Sequence, residues 1–143
     1  MDGDMIKRVS LACAVLLTVT GVARSQDCKN PQNPENQLEM NFCAAEAFRQ
    51  ADDSLQSLNQ EIRVRVTADP VFRAMLESSH SSWVAYRDAQ CLFVLGPDAA
   101  GSSEPWARFT CMERLTQLRL EEMRALLECE EGSFLCRVPP VKQ

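Results

Sequence analysis

The stretch Ser81-Ser82-Trp83-Val84-Ala85-Tyr86-Arg87-Asp88-Ala89-Gln90-Cys91 places an indole, a phenol, a guanidinium, a carboxylate and a thiol within eleven residues. A catalytic site, a ligand site and the polar seam of a small stapled helical protein would each look like this. The periodicity around it favours the seam. Phe72, Leu76, Ser79, Trp83, Tyr86 and Gln90 recur at gaps of 4, 3, 4, 3 and 4, one face of an α-helix. Asp69 is a natural N-cap and Pro70 fits the first helical position, where its missing N–H costs nothing. A helix from about 70 to 92 follows, with the quoted stretch as its C-terminal half. On this reading Trp83 and Tyr86 pack against neighbouring helices, and their NH and OH need partners.

The segments on either side have the same character. Asn36-Gln37-Leu38-Glu39 resembles a capping box, and Met40, Ala44, Ala47, Ala51, Leu55, Leu58, Ile62 and Val66 then fall on one helical face. A long helix from about 36 to 66 is predicted, and the short turn at 67–69 makes it an antiparallel hairpin with the next. Asp52 lies 16 residues before residue 68 and Arg87 lies 19 after it, so the two stand level across the hairpin. With Asp88 they form a candidate ion-pair network. Downstream, Gly96-Pro97-Asp98-Ala99-Ala100-Gly101-Ser102-Ser103 is rich in breakers and reads as a loop. Ser103-Glu104-Pro105 begins a third helix, which Phe109, Met112, Leu115, Met123, Leu126 and Leu127 carry to about Cys129. No strand alternation and no internal repeat interrupts this pattern. The fold class is all-α: an antiparallel helical hairpin plus a third helix, stapled by disulfides.

The staples follow from the N-terminus. Lys7-Arg8, the apolar run from Val9 to Val22 and the small residues of Ala23-Arg24-Ser25 read as a signal peptide over 1–25, with Cys13 inside it. The apolar run is short for a membrane span of about 20 residues, so no stable span is expected after cleavage. Export leaves Cys28, Cys43, Cys91, Cys111, Cys129 and Cys136, an even set that reads as three disulfides in a periplasmic or secreted protein. Cys129 and Cys136 are close enough to pair locally within an irregular tail over 129–143. The other four cluster at the open end of the hairpin, where the local pairs 28–43 and 91–111 compete with the cross pairs 43–91 and 28–111. The intervening residues, 26–128, form the helical domain.

Charge and chemistry narrow the function. Removal of the leader leaves 12 basic against 18 acidic residues, a net charge of −6. A nucleic-acid partner is excluded, since it needs a cationic face, and a basic protein partner is favoured. His80 is the only histidine, so no mechanism with two imidazoles is available. No zinc spacing, nucleophile elbow or phosphate loop occurs, and no metal, cofactor or catalytic residue is assigned.

Five pieces taken in order resemble the N-terminal domain of LprI-type lysozyme inhibitors, a bacterial family. They are E-M-N-F-C-A (Glu39–Ala44), A-D-x-x-L (Ala51, Asp52, Leu55), W-V-A-Y-R-D-A-Q-C (Trp83–Cys91), G-S-S-E-P (Gly101–Pro105) and C-M-E-R-L-T-Q-L-R (Cys111–Arg119). His80 stands where the family often has Gln, Gln56 replaces an Asn and Asn59 an aromatic, and the tail extends past the shared domain. The resemblance implies an exported helical domain, with lysozyme inhibition a property of some members.

Lysozymes are often basic and carry a catalytic carboxylate pair in a groove. An acidic inhibitor is steered to such a surface, after which a loop must enter the groove. Gly101, Ser102, Ser103 and Glu104 are the candidate partner-binding residues, with hydroxyls to offer the carboxylates; Arg87 is the alternative donor. The competing function is a structural or envelope-stress interaction protein with a partner other than a lysozyme.

Overall fold

The computed structural model describes residues 28, 30, 32–128, 136, 138 and 139. The expected leader with Cys13, and Cys129 of the expected tail, lie outside them. Among the described residues the regular elements are α1 (Gln37–Arg65), α2 (Pro70–Leu95) and α3 (Glu104–Leu127). The chain runs up, down and up again.

The helix ends are set by side chains close in sequence. The Asn36 carboxamide oxygen accepts from the Glu39 backbone N–H at 3.0 Å, and Glu39 reaches back to the Glu35 N–H at 2.9 Å. The box is therefore closed one residue earlier than in the usual reciprocal pattern. Asp69 caps α2 by accepting from both Val71 and Phe72 N–H, with Pro70 in the first turn. Gly96, at φ +80°, ends α2, three residues later than the periodicity of Phe72 to Gln90 predicts.

The helices are not equally intimate. α1 lies along α3 for most of its length, and α2 sits farther from α1. Long side chains bridge that wider gap, as in the Arg63–Glu77 pair at 3.1 Å and the Arg87–Asp52 pair at 2.7 Å. The hairpin of α1 and α2 exists as a chain path, but the tightest packing is between its first arm and α3. Small buried residues, Ala44 and Ala51, on α1 allow that close approach.

The apolar core occupies the end near the α1–α2 turn. Leu55, Ile62, Val66, Leu120 and Met123 are each at most 2% exposed, with Phe72, Leu76, Trp83 and Leu127 packed against them. Val138 joins this cluster, so the tail, expected to be irregular, contributes a side chain to the core.

Two disulfides join described cysteines, Cys28–Cys43 and Cys91–Cys111. The local alternative is therefore the one formed: Cys28–Cys43 pins the N-terminal flank to α1, and Cys91–Cys111 joins α2 to α3. Cys136 is also disulfide-bonded; its expected partner, Cys129, lies outside the described residues.

Candidate functional site

Away from the apolar core cluster, two buried polar residues, Arg87 and Thr116, stand among Ala44, Ala51, Cys91 and Met112. The Arg87 side chain is 6% exposed; one amino nitrogen reaches Asp52 Oδ1 at 2.7 Å and Nε reaches Asp88 Oδ1 at 2.9 Å. The guanidinium carbon lies 4.9 Å from the Phe48 ring centroid and 5.3 Å from that of Trp83. Phe48 in turn stacks on Phe109 at 5.9 Å. Thr116, fully buried, donates its hydroxyl to Met112 O at 2.7 Å and lies 3.5 Å from Arg87. A planar cation held between two rings and two carboxylates from α1 and α2 joins all three helices at one level.

This burial corrects the idea that Arg87 is a donor for a partner: its charge is neutralised inside the molecule. It also corrects Tyr86, expected on the packed face, which is 54% exposed. The inward line on α2 runs through half-buried Trp83 and buried Arg87 and Cys91, and a helix that turns Arg87 inward turns Tyr86 outward. The periodicity places Tyr86 on the packed stripe, while the expected Asp52–Arg87 pairing requires Arg87 to face α1; the structure satisfies the pairing and turns Tyr86 out.

The loop at this end is held firmly at both flanks. Residues 97–103 are all exposed. Cys91, in the last turns of α2, is tied to Cys111, in the second turn of α3. Gly101 has φ +100°, and the Glu104 N–H donates to its carbonyl at 3.3 Å. A Cβ at Gly101 would meet nothing within 4 Å, so the glycine is required by backbone conformation alone.

The second anchor comes from α1. Ser103 occupies the N-cap position of α3, yet its side chain makes no capping bond. Asn41 supplies it instead: its carboxamide oxygen accepts from the Trp106 N–H at 3.2 Å, and its NH2 donates to Ser102 O at 2.8 Å. One amide thus caps a helix in trans and fixes the loop that leads into it. Asn41 falls within E-M-N-F-C-A and was not singled out by sequence. Asn is a poor residue inside a helix already capped by Asn36, and that misplacement was the available signal.

Of the candidate residues, Ser102 and Ser103 are exposed on this loop with Gly101, and Glu104 is half-buried at the start of α3. A cleft of about 260 Å³ lies between α1 and α3, lined by Pro34, Met40, Ala44, Ala47, Trp106 and Glu113 among others, and none of the four candidate loop residues lines it. A second, polar cleft of about 320 Å³ lies between α1 and α2, where His80 meets Gln56, Asn59, Gln60, Arg63 and Glu77. Burial lowers the His80 pKa below 6.5, opposed by Asp52 and reinforced by Arg119 and Arg87.

The fold and the loop define a disulfide-stapled three-helix module that presents one short, doubly anchored segment. The chain belongs to the LprI lysozyme inhibitor family: the family model described as lysozyme inhibitor LprI matches residues 28–123. That span contains Cys28–Cys43, Cys91–Cys111, Asn41, Arg87 and the loop, and it stops before Cys129 and Cys136. An uncharacterised protein of Rhizobium meliloti (strain 1021) is 30% identical over 139 residues, covering 85% of this chain and 96% of that one. No solved structure matches.

Proposed function

We propose that this is an exported, non-catalytic binding module that inhibits a lysozyme by seating residues 96–103 in the active-site groove. The observation that carries the reading is the loop itself: seven consecutive exposed residues, 97–103, locked at one flank by Cys91–Cys111 and at the other by Asn41. A loop ordered before binding loses little conformational entropy on docking, so more of its contact energy appears as affinity. Membership of the LprI family and the acidic charge of the mature chain support a basic partner of the lysozyme kind.

In this reading the leader over 1–25 directs export and is removed. Residues 26–128 are the binding domain, and 129–143 a tail tied to it. Disulfides suit an oxidising compartment, periplasmic or extracellular. Among the described residues no helix is long and apolar enough to cross a membrane. Ser102 and Ser103 donate to the catalytic carboxylates, Gly101 shapes the tip, and Glu104 stands at its base. Asp52, Trp83, Arg87 and Asp88 act beneath it as a rigid foundation.

The test is a titration of the oxidised mature protein against chicken-, goose- and invertebrate-type lysozymes, with Ser102→Ala/Ser103→Ala in parallel. Stoichiometric inhibition of one class, weakened about tenfold or more in the variant, is expected for lost hydrogen bonds to carboxylates. Silence against all three classes at high excess would overturn the lysozyme assignment. Capture of a different envelope protein would then identify the interaction partner instead.

A further inference from the structure

α2 is charged on the wrong side. Its charged residues, Arg73, Glu77, Arg87 and Asp88, fall with His80 on one arc of the helix, and two of them cross to α1 as ion pairs. The opposite half of the helix, from Val71 to Phe93, comprises twelve exposed positions without a single charge. Val71, Met75, Tyr86, Leu92 and Phe93 are its large members, and Phe93 is 80% exposed. The other seven are alanines and serines. The outer faces of α1 and α3 carry exposed charges at ordinary frequency, among them Arg49, Asp53, Glu121 and Glu122. A solvent-facing helix normally looks like those two.

We propose that this face of α2 is a homodimer seam, in which two copies pair antiparallel about a two-fold axis beside Ser82. Three observations select a second copy. First, the mature chain carries a net charge of −6, so self-association is opposed by repulsion wherever charge is exposed. This face is where two acidic chains meet without it. A basic partner steered by that charge finds none of it here.

Second, the face is self-complementary only when antiparallel. An axis at Ser82 sets Met75 opposite Ala89, Tyr86 opposite Ser78 and Phe93 opposite Val71. Met75, Tyr86 and Phe93 then each meet a smaller residue, with Ser82 against its own copy at the axis. A parallel pair instead stacks Phe93 on Phe93, Tyr86 on Tyr86 and Met75 on Met75, so the helices are forced apart at each of those levels. Two-fold pairing also satisfies the requirement that both copies use the same patch.

Third, the area suffices. The five large exposed side chains, with the alanines between them, offer about 600 Å² per copy, on the order of 1,200 Å² for the pair. That is the lower edge of a specific interface and suits reversible association. In this pair the two 96–103 loops emerge at opposite ends of a helix about 39 Å long and both stay free.

The experiment is sedimentation equilibrium of the oxidised mature protein from low micromolar to near-millimolar concentration. Three chains are compared: native, Ser82→Arg, and Met75→Lys/Ala89→Glu. Helix content and thermal unfolding of each are recorded, and since every substituted position is exposed they should match the native chain. The native protein is expected to dimerise. Ser82→Arg, which sets a cation against its own copy, should raise the dissociation constant about a hundredfold or more. The double substitution should dimerise, since an antiparallel pair sets each lysine opposite a glutamate. A native protein that stays monomeric throughout overturns the proposal, as does a dimer indifferent to Ser82→Arg. Dissociation by Ser82→Arg with no dimer from the double substitution overturns the antiparallel arrangement. A monomer whose lysozyme inhibition is lost in Ser82→Arg would make the face a target interface and also overturns it.

Discussion

The two ends of this bundle are held by different forces. Near the α1–α2 turn, Leu55, Ile62, Val66, Leu120 and Met123 exclude water from one another. Toward the loop, a single guanidinium lies between Phe48 and Trp83, bonded to Asp52 and Asp88, and two disulfides close the end. The apolar end needs only bulk and periodicity. The polar end needs particular atoms at particular distances, because an arginine removed from water is tolerated only when its charge and its N–H groups are answered. A precise end suits the support of a loop whose shape matters; an apolar end suits stability.

Substitutions sharpen the contrast. Ile62→Ala, at a position 1% exposed, should cost about 2–5 kcal/mol in denaturant unfolding while leaving the loop unchanged. Arg87→Ala should cost about 3 kcal/mol, because Asp52 is left without its partner and two rings lose their cover. Arg87→Met with Asp52→Leu should recover much of that loss. A double-mutant cycle showing no coupling between residues 52 and 87 would break the account of the polar end.

Replacing Cys91 and Cys111 with Ser opens a staple of sequence separation 20 and should cost about 3 kcal/mol. Loop amides should exchange faster while the apolar core stays protected. Asn41→Ala removes a cap supplied from another helix and should cost about 1 kcal/mol. Its effect should concentrate in hydrogen exchange at Trp106 and along the 101–103 segment.

The smallest effect belongs to His80. Because burial lowers its pKa in the folded protein from 6.5, the unfolded chain takes up a proton first as pH falls. Stability should therefore be full above about pH 7 and decline as pH drops through 6.5 toward the folded value. His80→Gln should flatten that slope in unfolding curves measured across the range. An unchanged slope would remove His80 from the account of pH dependence.

Much of this was legible in the chain. Three helices, their caps at Asn36 and Asp69, and the level of Asp52 against Arg87 all follow from spacing, because capping and helical rise are local geometry. The loop was legible because Gly96, Pro97 and Gly101 break helices wherever they occur. Arg87 was harder. The spacing pairs it with Asp52, but the apolar stripe put Tyr86 inward, and nothing near residue 87 announces that Phe48 and Thr116 will also surround it. Asn41 was missed for a related reason: its partners, Ser102 and Trp106, are more than 60 residues away.

Sequence by itself determined the helices, the loop, the six cysteines from Cys28 onward and the acidic charge, all properties of neighbours along the chain. Tertiary structure alone decided which cysteines pair among four that share one end, and which helix lies closest to α1. It also decided that α2 turns its charges toward its own bundle and an uncharged face to solvent. The physical reason is common to all three. Pairing, close packing and the burial of an ion depend on what other helices bring to the same place, and only the assembled bundle fixes that.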